Sequence, residues 1–207
     1  MHAPNAPPCP PTLEPIVLQG HVVTLAPLGR QHGDDLRAAA LAAPEIWEWL
    51  PLRVRSAADF GAWLESALAS REGGLCLPFA VIDRTTGRAV GSTRLMDYRP
   101  ADRGIEIGHT WYARSAWASA VNPECKLLLM RHAFQTLGCV RVQLKTDERN
   151  ARSRAAILRL GAQPEGTLRK HTLTQDGTYI RDSVYFSVLD DEWPAVKAGL
   201  EARLSGQ

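Results

Sequence analysis

Ile105-Glu-Ile-Gly-His-Thr-Trp111, the small-residue loop Ser115-Ala-Trp-Ala-Ser-Ala-Val121 and the segment opening at Asn122-Pro123 decide how this chain is read. The first is an extended run. The last carries Leu127, Met130, Phe134 and Leu137 at helical spacing. Asn122 suits the N-cap, Pro123 the first helical position, and Gly138 the position just past the end. A strand feeding a helix N-terminus makes a ready anion site, because first-turn N–H groups lack intrahelical acceptors and the helix dipole is positive there.

Working outward, Val140, Val142, Leu144 and Thr146 alternate with Arg141, Gln143 and Lys145, the pattern of a strand with one buried face. A helix is expected from near Asn150 to Gly161, then a strand over 167–174, a turn at Gln175–Thr178 and a strand over 179–189. Toward the N-terminus, His21–Leu25 reads as a strand and residues 31–42 as a helix. Ser56-x-x-Asp59 resembles a helix start, followed by Phe60, Trp63, Leu64, Ala67 and Leu68 on one face. Leu77–Ile82 and Ala89–Leu95 form a hairpin by pattern. The order predicts an α+β (mixed α/β) fold around one sheet and lacks the uniform βα alternation of a Rossmann fold.

The chain has 207 residues, 45% of them apolar and 22% charged, so a large core is available and global disorder is excluded. Lys+Arg 24 against Asp+Glu 22 leaves +2, too balanced for a nucleic-acid protein held by phosphate neutralisation. No apolar run approaches the roughly 20 residues of a membrane helix, and the start has no signal-peptide pattern. Four cysteines without metal-ligand spacing point to a reducing, cytoplasmic setting with no metal. Six of the 14 prolines lie in residues 1–15, which predicts a flexible tail there, a single domain over 16–197 and a C-terminal extension at 198–207.

Several segments together resemble the GNAT acetyltransferases, in the RimJ/RimL-type branch that acetylates N-terminal amines of ribosomal proteins. They are Gly20–Leu28, Ile105–Gly108, Val121–Phe134, Leu144–Ser153, Leu160–Gly166 and Arg181–Ser187. The resemblance implies a twisted, mostly antiparallel sheet with helices on both faces and a splayed central strand pair that holds acetyl-CoA. Pantetheine would pair with the backbone of the 105–111 strand, through Thr110 and Trp111. The pyrophosphate would sit on Ala118, Ser119, Ala120, Val121 and Asn122. Asn150 matches the family's pantetheine-binding Asn, with Ser153 one turn beyond. Two departures stand out. The loop Trp117–Asn122 lacks the family's glycines and its basic or amide side chain, and such a loop keeps its donors only if every φ is negative. Ile157 replaces the Tyr that protonates the leaving thiolate in many members.

Glu106, on the central strand beside Gly108, is the candidate general base; the alternative is a structural pair with an arginine such as Arg94. Asp182 falls on the row of Ile180, Val184, Phe186 and Val188, so a buried acid is expected that needs a cation, backbone donors or a role with substrate. Trp47 and Trp49 are candidates for the acceptor mouth. His109 and Trp111 share a face with Ile105 and Ile107 by alternation and read as core with backbone cofactor contacts. His132 reads as packed and Cys125 as a small buried residue. Arg141, Lys145, Arg149, Arg152 and Arg154 form a basic cluster. The expected activity is acetyl-CoA-dependent acetylation of a primary amine by direct attack, by a monomer or homodimer. The alternatives are a CoA-binding module without turnover and a small-molecule amine acetyltransferase.

Overall fold

The computed structural model describes residues 9–50, 52–174 and 177–206. Residues 1–8 of the expected tail, and 175–176 of the expected turn, lie outside them. The chain runs β1 (Leu18–Gln19), β2 (Val23–Pro27), α1 (Gly33–Ala42), α2 (Ala57–Ala69), β3 (Leu77–Asp83), β4 (Ala89–Arg99) and β5 (Gly104–Tyr112). It continues through α3 (Val121–Arg131), β6 (Arg141–Asp147), α4 (Ala151–Leu158), β7 (Gln163–Leu173), β8 (Ile180–Leu189) and α5 (Trp193–Ser205). One sheet orders these strands β1-β2-β3-β4-β5-β6-β8-β7. Every neighbouring pair is antiparallel except β5–β6.

Alternation along the strands sorts the core into two layers. Leu77, Phe79 and Val81 of β3, with Leu95, Ile105 and Ile107, pack under α3, α4 and α5. Ala80 and Ala89 face the other way, onto Leu36 and Ala40 of α1 and Phe60, Trp63 and Leu64 of α2. The α2 start is a reciprocal capping box: Asp59 N donates to Ser56 Oγ at 3.1 Å, and Ser56 N to Asp59 Oδ2 at 3.0 Å.

Several expectations change. Helix α3 begins at Val121 and its N-cap is Ala120. Asn122 therefore lies inside the first turn, and its Oδ1 accepts from the Tyr112 hydroxyl at 3.1 Å instead of capping. The α3 start is clamped from across the sheet: buried Glu124 accepts from the N–H groups of His21, Val22 and Val23 at 2.7–2.8 Å. A Cβ at Gly20 would come within 2.3 Å of that carboxyl carbon, so glycine is needed there. The expected boundary at 197 falls inside α5, whose Leu200 is core. Within the expected tail, Cys9 and Leu13 are buried and Leu13 N donates to Gly74 O.

Two irregularities in β5 make the site. Its parallel pairing with β6 covers only Gly104↔Arg141, Ile105↔Val142 and Glu106↔Gln143. Beyond Glu106 the strands part, the splayed pair that the resemblance implies. The pairing with β4 also slips between Ser92↔Trp111 and Arg94↔Gly108, where His109 has φ 47°. One extra residue reverses the alternation. Ile105 and Ile107 stay in the α3-side layer, whereas Trp111 moves into the other cluster and Tyr112 takes the α3 side. The expected common face for Ile105, Ile107 and Trp111 is thus broken by the bulge.

Candidate active site

The fork opens into a cleft of about 630 Å³. At its apex is Glu106, 1% exposed. Glu106 Oε2 accepts from Gln143 Nε2 at 2.8 Å and from Lys145 Nζ at 3.0 Å. The partner is therefore Lys145, not Arg94. A Cβ at Gly108 would stand 2.9 Å from Glu106 Oε1, so the missing side chain gives the carboxylate its room.

The β5 arm is lined by His109, Thr110, Trp111 and Tyr112. Desolvation beside Arg94, Lys145 and Arg181 pulls the His109 pKa down to about 3, so the imidazole is neutral. Across from it, α3 contributes Lys126, which sequence reading passed over. This ammonium is 5% exposed and lines the cleft, and it donates a hydrogen bond to Thr110 Oγ1, 2.9 Å away. Thr110 Oγ1 also meets Thr93 Oγ1 at 2.8 Å. No carboxylate pairs with Lys126 among the described residues, and burial brings its pKa down to about 8. The signal for it was present: Leu127, Leu128, Leu129 and Met130 follow without a polar break, so this helix is buried all round and its lysine with it.

In the loop, Ala118 has φ 54°, contrary to the expectation that alanine there requires negative φ. It holds a glycine-like conformation at a cost of about 1–2 kcal/mol. Among the described residues the N–H groups of Ala118, Ser119 and Ala120 find no acceptor in the chain, while Val121 N donates to Ser119 Oγ at 3.3 Å. Ala118, Ser119 and Asn122 line the cleft; Ala120 and Val121 do not. From α4, Asn150 caps the helix, its Oδ1 accepting from Ser153 N at 2.9 Å, and both residues line the cleft. Arg152 lies 4.1 Å over the Trp117 ring and also faces the cleft, as does Ile157.

The basic cluster disperses. Arg141 pairs with Glu165 and Arg149 with Asp147, and Arg154 binds Glu148 O. Trp49 lines the cleft with Arg149 over its ring at 5.1 Å. Trp47 does not: it is core, with Nε1 donating to Ala40 O and the ring packed on Trp63 and Trp111. Asp182 also lies outside the cleft lining. Its Oδ1 accepts from Lys170 N at 2.6 Å, so backbone answers the carboxylate on the bulged edge of β7. Its neighbour Arg181 enters the cleft instead. Cys125 is fully buried, its pKa pushed up to about 12 by desolvation, and His132 is packed.

Residues 23–163 match the family model of the acetyltransferase (GNAT) domain. The chain is a GNAT acetyltransferase. A GCN5-related N-acetyltransferase from Brucella melitensis is 35% identical and superposes with TM-score 0.88 over 97% of this chain and 90% of that one. A Bacillus subtilis protein provisionally assigned as the ribosomal N-acetyltransferase YdaF is 30% identical over 115 residues, 54% of this chain and 59% of the relative. Mycobacterium smegmatis RimJ, solved with CoA-disulfide, shares the fold at 20% identity, TM-score 0.76, over 92% of this chain and 93% of that one. Family and fold make this chain an N-acetyltransferase, with the expected mixed fold and open, mostly antiparallel sheet. No described helix is long and apolar enough to cross a membrane.

Proposed function

We propose that this GNAT enzyme uses acetyl-CoA and transfers the acetyl group directly to a primary amine, with a protein N-terminal amine as the favoured acceptor. The observation that carries the use of acetyl-CoA is Lys126: a buried ammonium with no carboxylate partner among the described residues, lining the same cleft as the Ala118 and Ser119 N–H groups, is stabilised by an anionic group entering from outside. It supplies the positive charge that the loop side chains lack. When bound, acetyl-CoA provides a thioester already activated toward amines. Lys126 and the N–H groups of Ala118 and Ser119 hold the diphosphate. The Asn150 side-chain amide, whose oxygen is committed to its cap, donates through nitrogen to the pantetheine arm. The β5 backbone beyond Glu106, free of β6, pairs with that arm and donates to the thioester carbonyl oxygen. Glu106 accepts the proton of the incoming ammonium at Oε1, the oxygen not engaged by Lys145 and Gln143.

Thermal-shift titration tests binding. Acetyl-CoA at 100 times its Kd stabilises by about 2.7 kcal/mol, a clear rise in Tm. No shift at millimolar concentration overturns the proposal. Thiol release with a panel of N-terminal peptides and small amines tests transfer; a shift without release by any acceptor leaves a CoA-binding module.

A further inference from the structure

The β6–β8 side of the cleft carries more positive charge than its own carboxylates balance. On this side of the sheet Gln143, Lys145 and Asp147 of β6 stand in register with Ser187, Tyr185 and Ser183 of β8. Arg181 follows Ser183 outward on the same face. It is 8% exposed, and Ser183 Oγ, itself buried, fixes its Nε at 3.0 Å. The guanidinium lines both the cleft and the small adjoining pocket bounded by Trp49 and Tyr179. No acceptor among the described residues hydrogen-bonds its terminal nitrogens.

The nearby acids already have cations beside them, Glu106 its Lys145, Asp147 its Arg149, and Glu48 the same Arg149 across the small pocket. Glu48 and Arg53 line the small pocket too, so Lys145, Arg149, Arg181 and Arg53 are four cations against the three carboxylates of Glu106, Asp147 and Glu48. The neutral imidazole of His109 adds no charge. Arg149 is itself held between aromatic rings, 3.5 Å from the Tyr179 centroid and 5.1 Å from that of Trp49, which fixes it at the rim.

A partly water-shielded site with surplus positive charge repels an incoming ammonium, and the more so a polyamine. It receives an amine well when the same molecule brings an anion. A guanidinium whose Nε is anchored and whose outer N–H groups are free suits a carboxylate, through paired charge-assisted hydrogen bonds. We propose that the acceptor is an amine that also carries a carboxylate, that Arg181 holds this carboxylate, and that polycationic amines are rejected. This rests on the acetyl-transfer reading above and specifies its acceptor. The carboxylate can belong to a free amino acid or to an acidic residue next to a peptide N-terminus; the recognising chemistry is the same.

The test compares the parent with Arg181→Gln and Arg181→Lys, by thiol release from acetyl-CoA. Acceptors are peptides starting Ser-Asp or Ser-Asn, free amino acids and their amides, and spermidine, with rates expressed per neutral amine. The parent is expected to favour the acidic member of a pair by about tenfold or more in kcat/KM, chiefly through KM, and to use spermidine least. Arg181→Gln abolishes the preference and Arg181→Lys keeps part of it. Acetyl-CoA affinity, read by thermal shift, stays within about threefold in both, because the groups assigned to acetyl-CoA stand on β5, the 118–119 loop, α3 and the start of α4, and none on β8. A preference confined to peptides marks a protein N-terminus as the source, and one confined to free amino acids marks a metabolite. Equal use of Ser-Asp and Ser-Asn together with equal use of amino acids and amides overturns the inference. So does a preference for spermidine, no turnover of acidic amines while acetyl-CoA binds, or a preference that survives Arg181→Gln. If Arg181→Gln fails to fold, the parental ratios alone decide. Failure of the parent to bind acetyl-CoA instead overturns the acetyl-transfer reading itself.

Discussion

The two arms of the fork are built on opposite plans. The β6 arm is regular: it pairs with β8 without a break from Arg141↔Leu189 to Asp147↔Ser183, and its carboxylate Asp147 is matched by a cation. The β5 arm is irregular, with a bulge at His109, a strained Ala118 just beyond the strand and, bonded to its Thr110 from α3, an ammonium with no counter-ion among the described residues. The regular arm pairs Lys145 with Glu106 and Arg149 with Asp147 and so fixes Glu106 in place, with Arg181 of β8 as the cation left over. The irregular arm leaves donors and charge unspent, and those are what an anionic cofactor can use. Positioning and binding are thereby separated across a single cleft.

Substitutions on each arm can break that contrast. The largest effect belongs to the apex. Glu106→Gln keeps the shape and removes the charge, so turnover should fall about 10²–10⁴-fold while acetyl-CoA affinity stays within about threefold. Parental turnover with a true acceptor would show that the apex acid only supports Lys145.

Next comes Lys126→Met on the irregular arm. Acetyl-CoA affinity should drop about tenfold or more, as for loss of a charge-assisted contact. The free protein should become more stable, by a Tm rise of ~2 °C or more at neutral pH. The sign follows from linkage. With a folded pKa of about 8 against 10.5 unfolded, the unfolded state binds more protons, so the buried charge costs stability fully below pH 8. The penalty fades as pH rises toward 10.5. Parental affinity for acetyl-CoA should accordingly weaken as pH climbs through and above 8. A variant that binds as tightly as the parent would make Lys126 a structural residue.

The smallest effect separates two jobs of one side chain. Asn150→Ala should lose roughly 1 kcal/mol of cap stability together with cofactor affinity. Asn150→Asp should keep the cap and lose only affinity, severalfold, measured by thermal shift with and without acetyl-CoA. Equal affinity in Asn150→Asp would leave Asn150 as a cap alone.

How far this contrast was legible in the sequence depends on which arm is considered. The β6 arm follows strict alternation, and Val142 and Leu144 fall on the expected side. The fork came from the family resemblance, since strand separation has no residue signature of its own. The β5 arm misled because counting by twos runs straight through His109, and a bulge there changes no composition. Asp182 attracted attention for lying on an apolar row, but that row ends at the solvent-exposed Ile180, while the polar face beside it brought Arg181 into the cleft. Helix α5 was passed over and cut at 197, although Trp193, Val196, Leu200 and Leu204 recur at helical spacing with Pro194 near the start. Lys126 was missed because a lone lysine in a helix is ordinarily assigned to solvent. Trp47 illustrates a converse limit: a tryptophan beside a cleft and one sealed behind it look alike until the packing is known.

The clamp between Glu124 and the amides of His21, Val22 and Val23 has a consequence for motion. Chain ends ordinarily open alone and cheaply, as the least protected part of a fold. Here, peeling the first strands away would strand a carboxylate in the first turn of α3, immediately after the loop that faces the cleft. Opening at this edge of the sheet is therefore tied to opening at the cleft, and the three amides should exchange with solvent in step with the 118–122 loop. A ligand that quiets the loop would slow exchange at the far edge as well, carrying its presence across four strands.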